Sequence, residues 1–192
     1  MPVVIGRDRP ARDLRRAGHV LSHLALVGVI AVIVALRVYV VRPVIVSQES
    51  MRPTLEPGDR VLVNTWATRQ CLPRRGAVVV AVEPDSGLWV IKRVVAADGD
   101  SLVLAHGGAW LNGRALREPY VMPYDGDRLR VQVPRGKVFV LGDNRGGSKD
   151  SRDYGALGAE SVIGEALAVI WPREHARWLD RGDAATKGKQ QQ

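Results

Sequence analysis

Hydrophobic positions fall along this chain in two regimes. The first is a single apolar stretch over 17–36, AGHVLSHLALVGVIAVIVAL, with no formal charge while its histidines are neutral. As a helix rising about 1.5 Å per residue it covers roughly 30 Å, so the pattern predicts a transmembrane helix. A cleavable signal peptide is the competing expectation, but the stretch is longer than an h-region needs, and no small-x-small site follows before Arg37. The second regime is a series of short, Val-rich runs: 60–64 (RVLVN), 77–82 (AVVVAV), 88–96 (LWVIKRVVA), 101–105 (SLVLA), 109–113 (AWLNG), 129–133 (LRVQV), 137–142 (KVFVLG) and 165–171 (EALAVIW). The turn sequences PRRG, EPDSG, ADGD and HGG separate the first five. β-branched runs this short and this closely spaced predict a mainly β domain. The expected architecture is an antiparallel sheet system coiled into a barrel-like body, without a helix beyond a turn near 156–161.

The expected organisation is therefore a polar cytoplasmic tail over 1–16, a transmembrane anchor over 17–41, an extracytoplasmic domain over 42–172, and a disordered tail over 173–192 that ends in KGKQQQ. Five arginines precede the span (Arg7, Arg9, Arg12, Arg15 and Arg16) and three follow it closely (Arg37, Arg42 and Arg52), a bias that places the N-terminus inside. Only eight residues separate Arg42 from Ser50, at most about 26 Å of extended chain, so Ser50 is expected near the membrane surface. The net charge of +8 is carried by scattered arginines, without a basic run or a nucleic-acid motif, and nucleic acid is not an expected partner. The one cysteine, Cys71, forms no disulfide within the chain.

Candidate chemistry begins at 47–59, SQESMRPTLEPGD. Pro53, Pro57 and Gly58 exclude a regular helix there, so Ser50 is presented on an ordered loop, either as a turn serine or as a nucleophile. A serine nucleophile needs a base. The histidines are poorly placed for that role: His19 and His23 fall in the apolar stretch, His106 in a turn, and His175 in the tail. A lysine serves only if burial strips its proton, and Lys92 alone of the five lysines lies inside a β-branched run, with Val90 and Val94 on its face. Its alternative role is that of an edge-strand lysine guarding against aggregation. The third segment, 142–155 (GDNRGGSKDSRDYG), lacks the spacing of an EF-hand calcium loop and reads better as an ion-paired loop able to brace a buried amine. His19 and His23 sit four apart without a third ligand, so no metal is expected.

Together SMRPTLEPGDRVLVN, RRGAVVVAVEP, IKRVVAADGD and VFVLGDNRGGSKDSRDYG resemble, in this order, the motifs of bacterial type I signal peptidases, the membrane-anchored Ser/Lys proteases. The single span and short body are similar to the Gram-positive forms. The resemblance implies a serine endopeptidase of the plasma membrane that cleaves signal peptides from exported preproteins without a cofactor, with membrane lipid beside it. It implies Ser50 as nucleophile, Lys92 as general base and Ser148 as the group orienting the lysine amine. Asp143, Asp150, Arg145 and Arg152 would hold the loop, while Met51 and Pro53 would shape the nucleophile turn. The signal peptide would add as a strand along the 44–47 and 77–82 edges, with small side chains at −1 and −3. Two positions depart from the family pattern: Gln48 stands where a serine usually completes the oxyanion hole, and Ala77 where an acidic residue is common. Gln48 is expected to donate its side-chain amide instead. The rival expectations are a related Ser/Lys peptidase with a narrower set of clients and a catalytically inactive, membrane-tethered binding module.

Overall fold

The computed structural model describes residues 22–35, 41–66, 68, 71–126 and 128–179. The chain forms two compact units, one up to Val40 and one from Val41 onward. In the first, helix α1 runs over 22–35. No helix among the described residues is long and apolar enough to cross a membrane. Residues 1–21, which include His19, and 36–40 lie outside the described residues, as do 180–192, so the expected inner tail and both ends of the expected anchor fall there.

Among its described residues the second unit has twelve strands: β1 (Val41–Ile45), β2 (Arg60–Asn64), β3 (Val78–Val82), β4 (Trp89–Ala97), β5 (Ser101–Ala105), β6 (Gly108–Leu111), β7 (Arg114–Ala115), β8 (Leu129–Gln132), β9 (Lys137–Leu141), β10 (Leu157–Gly158), β11 (Val162–Trp171) and β12 (Arg177–Trp178). The larger sheet has the order β1-β2-β11-β3-β4-β9-β10, with β12 added to β11, and the smaller has the order β7-β6-β5-β8. Every pairing is antiparallel. Each predicted run has become a strand, because alternation of buried valines fits a pleated surface packed on one or both faces.

Four local expectations need correction. β1 escaped the hydrophobic pattern because Arg42 and Pro43 interrupt it; a proline is tolerated there because β1 is the outermost strand of its sheet. The run over 109–113 ends at Leu111, since Asn112 (φ 51°) and Gly113 (φ 80°) form a two-residue turn that pairs Leu111 with Arg114. Asn-Gly is the sequence most suited to such a hairpin, where both residues take positive φ. A short helix, α2 (Ser151–Tyr154), occupies the polar loop that was expected to hold no helix. Finally, the chain stays ordered past 173: β12 pairs with β11 and Leu179 is buried, so the expected tail boundary falls inside structured chain.

Three apolar clusters hold the domain. The first packs Met51 and Leu55 of the β1–β2 connection against Val61, Val63, Val80, Val169 and Leu179. The second lies between β3, β4, β9 and β11, and the third joins the two sheets through Phe139, Leu102 and Leu104. β11 pairs with both β2 and β3, and Gly164, opposite Val80, also lies against Val63 and Asn64 of β2. A Cβ at Gly164 would lie 2.6 Å from the Asn64 carbonyl oxygen and 2.7 Å from Val63 Cγ1. Gly164→Ala should therefore cost roughly 1–3 kcal/mol of stability, read as a lower urea midpoint with an unchanged m-value.

Candidate active site

Ser50 lies in the β1–β2 connection, which is tied to itself at both ends. The Gly58 N–H donates to the Val46 carbonyl at 2.8 Å and the Val46 N–H to the Asp59 carbonyl at 2.9 Å; between them the Leu55 N–H donates to the Met51 carbonyl at 2.9 Å. Met51 and Leu55 are buried in the core and so fix the turn from below. Pro53 is exposed at its outer side. Ser50 is itself buried, and its carbonyl accepts from the Asn144 N–H at 3.0 Å, which ties the turn to the loop after β9.

Lys92 sits in the middle of β4, opposite Val79 of β3. Val79, Val90 and Val94 surround its face in one apolar cluster, and the lysine is only 1% exposed. Its Nζ lies 2.7 Å from Ser50 Oγ. Burial is the main influence on the amine and lowers its pKa from 10.5; Asp150 and Glu83 oppose this more weakly, and Arg152 adds to it. A buried amine in this setting reaches its neutral form at lower pH than a free lysine does.

The next residue points to the opposite face of β4. Arg93 donates through Nε to Asp143 Oδ1 at 2.8 Å and through Nη2 to Asp143 Oδ2 at 2.7 Å, and both side chains are almost fully buried. Arg93 also donates to the Gly76 carbonyl at 2.8 Å, and its guanidinium stacks 3.9 Å from the centroid of the Tyr120 ring. Thr54 Oγ1, four residues after Ser50, donates to Asp143 Oδ2 at 2.5 Å. The pair thus joins β4, the loop after β9 and the nucleophile turn.

The remaining loop residues are paired in the same way. Asp150 caps α2, with Asp153 completing a capping box, and accepts from the Gly142 N–H at 3.0 Å and from Arg152 Nε at 2.8 Å. Arg152 also donates to the Arg145 and Ser148 carbonyls. Arg145, fully buried, donates to the Gly142 carbonyl at 2.9 Å and to Glu118 at 2.6 Å. With Asp143 and Asp150 occupied by guanidinium and backbone donors, the loop is ion-paired. Ser148 Oγ is buried without a hydrogen-bond partner, so the expected bond to Lys92 is not made. Ser148 packs on Gly142: a Cβ built there would lie 2.3 Å from Ser148 Oγ and 2.4 Å from the Ser50 carbonyl oxygen, which is why that position needs glycine.

Beside Ser50 lies a groove of about 240 Å³ lined by Val44, Val46, Met51, Val80, Val90 and Ile91, with Gln48 exposed at its rim. Its two sides are strand edges. Among the described residues β1 pairs only with β2, and β9 pairs with β4 from Arg93 onward, so no described strand lies on that side of Trp89–Ile91 of β4. The edge expected at 77–82 does not exist: β3 is enclosed between β4 and β11.

The family model described as signal peptidase, peptidase S26, matches residues 19–171. The chain belongs to this family. It is accordingly a serine endopeptidase of the signal peptidase I type. A probable signal peptidase I-1 of Synechocystis sp. is 36% identical over 156 residues, covering 77% of this chain and 79% of that protein. Signal peptidase I T of Bacillus subtilis is 32% identical over 163 residues, covering 78% and 84%. The crystal structure of a signal peptidase I from Enterococcus faecalis is 28% identical, covers 50% of this chain and 97% of its own, and aligns with a TM-score of 0.45.

Several residues of this signal peptidase escaped the sequence reading. Arg93 stood in plain view beside Lys92, and period-two alternation already placed it on the other face, where a buried guanidinium demands a carboxylate. Thr54, Tyr120 and Glu118 carried no local signal, since their partners lie 89, 27 and 27 residues away for Thr54–Asp143, Arg93–Tyr120 and Arg145–Glu118. Removing Arg93 leaves Asp143 charged and buried. Arg93→Ala should cost roughly 3–5 kcal/mol in chemical denaturation. Arg93→Lys should recover only part of this, because an ammonium cannot make the two-pronged bond.

Proposed function

We propose that this peptidase cleaves signal peptides through a Ser50/Lys92 dyad, in a domain tethered to the plasma membrane by the apolar stretch over 17–36, with its N-terminus cytoplasmic and its catalytic domain outside. The carrying observation is the 2.7 Å separation of Lys92 Nζ and Ser50 Oγ in a site where the lysine is 1% exposed. Neutral Lys92 takes the Ser50 proton as Oγ attacks the scissile carbonyl. The resulting ammonium then protonates the leaving amine, and a water deprotonated by Lys92 hydrolyses the acyl ester. Ser148 Oγ, buried and unpartnered, becomes an acceptor for the amine by rotation of the side chain about χ1. The preprotein docks as an extended segment between the open edges of β1 and the start of β4, and the small apolar groove favours small side chains at −1 and −3. The Ser50 N–H and the Gln48 side-chain amide donate to the oxyanion.

Purified full-length protein should cleave a detergent-solubilised preprotein, and Ser50→Ala, Lys92→Ala and Lys92→Arg should each reduce the rate by about 10⁴-fold or more. A wild-type protein that binds but never cleaves would favour the binding-module reading. Because burial lowers the Lys92 pKa, kcat/KM should rise with pH through that lowered value and level off above it. Between the lowered value and 10.5 the unfolded chain holds a proton that the folded chain has released, so stability also rises with pH across that window. Gln48→Ala should lower kcat by about 10²-fold while Ser47→Ala changes it little; equal rates in wild type and Gln48→Ala would reject the oxyanion role.

A further inference from the structure

The nucleophile turn is held from the inside by Arg93 and Asp143, but a second set of contacts reaches it from the other side. After β11 the chain turns back through Arg173–His175 and adds β12 along β11, pairing Trp178 with Ala168 and Arg177 with Val169. The Leu179 N–H donates to the Leu167 carbonyl at 2.8 Å, and the Leu179 side chain enters the cluster that contains Met51 and Leu55. From this return segment Arg177 Nη2 donates to the Thr54 carbonyl, while Nη1 donates to the His175 carbonyl at 3.0 Å. His175 Nδ1 lies 2.8 Å from Asp59 Oδ1, and Asp59 Oδ2 accepts the Glu56 N–H at 2.9 Å.

Thr54 is thus gripped twice, by its hydroxyl on Asp143 and by its carbonyl from Arg177. Asp59, where the connection enters β2, is gripped by His175. We propose that residues 175–179 form a clasp over the nucleophile turn, and that Arg177, supported by His175, is a positioning residue that keeps Ser50 Oγ within reach of Lys92. This rests on Ser50 being the nucleophile. The two strands flanking the turn hold only its ends. Its middle has an exposed outer side at Pro53 and Pro57, so without the clasp Thr54 is held only from within, by its hydroxyl on Asp143 and Arg93 and by the buried Leu55 beside it. Displacements well below 1 Å at the Oγ matter for attack but leave the substrate groove on β1 and β4 intact, so the effect belongs in kcat.

Full-length Arg177→Ala should keep KM within about twofold and lose about tenfold in kcat, with faster amide exchange confined to residues 51–59. Arg177→Lys, which retains one donor for the Thr54 carbonyl, should restore most of the rate. Either an unchanged kcat in Arg177→Ala or unchanged exchange at 51–59 would overturn the clasp, as would a loss expressed in KM alone. If Arg177→Ala fails to fold, a folded Arg177→Leu or His175→Ala with wild-type kcat and wild-type exchange at 51–59 would overturn it equally. Should the wild type prove inert, or Ser50→Ala remain active, the dyad itself is wrong, and the exchange comparison still decides whether the clasp exists.

Discussion

The structure depends on two neighbouring cations of β4 being taken out of water in two different ways. Arg93 cannot lose its proton, so its burial requires a partner, and Asp143 meets it with both oxygens. Lys92 can lose its proton, and burial among apolar neighbours lowers the pKa at which it does so. Strand alternation separates the two solutions onto opposite faces, although the residues are adjacent in sequence. One face therefore acquires a fixed charge pair that binds three segments together, and the other acquires an amine of lowered pKa 2.7 Å from a hydroxyl.

The surrounding carboxylates reinforce this division. Asp150 and Glu83 are the groups that would restore positive charge to Lys92, and each already has a cation of its own. Arg152 lies against Asp150, and Lys149 Nζ is 2.5 Å from Glu83. Lys149 and Ser86 hold the Glu83 carboxyl below its ordinary pKa, and the lysine, shared with Asp85, counters part of its field. The loop after β9 thus supplies negative groups to organise the site while limiting what they do to the amine. This is a physical reason for so many alternating acids and bases in GDNRGGSKDSRDYG.

Most of the domain could be read from the chain because its strands are short, β-branched and separated by turn residues, and the local signals agree with the tertiary outcome. Lys92 was readable for the same reason, as a charge in a run that otherwise excludes charge. What escaped was of two kinds. Some features had a local signal that a stronger pattern masked: Asn112-Gly113 looked like the end of a strand run, and Asp150 and Asp153 looked like salt-bridge partners before they looked like a capping box. Others had none. Nothing near Thr54 announces Asp143, and the polar composition after Trp171 hides Leu179, whose burial depends on a surface assembled from distant strands.

β1 lies at the outer margin of its sheet, yet it carries a proline in its middle. Pro43 has no N–H to give to a neighbouring chain, and Arg42 before it is charged, so the N-terminal half of the strand resists pairing with other molecules. Backbone competent to pair begins only at Val44 and runs to the nucleophile turn. A polypeptide that paired with this edge would therefore find a landing strip a few residues long, and the same truncation limits edge-to-edge zippering between copies of this protein.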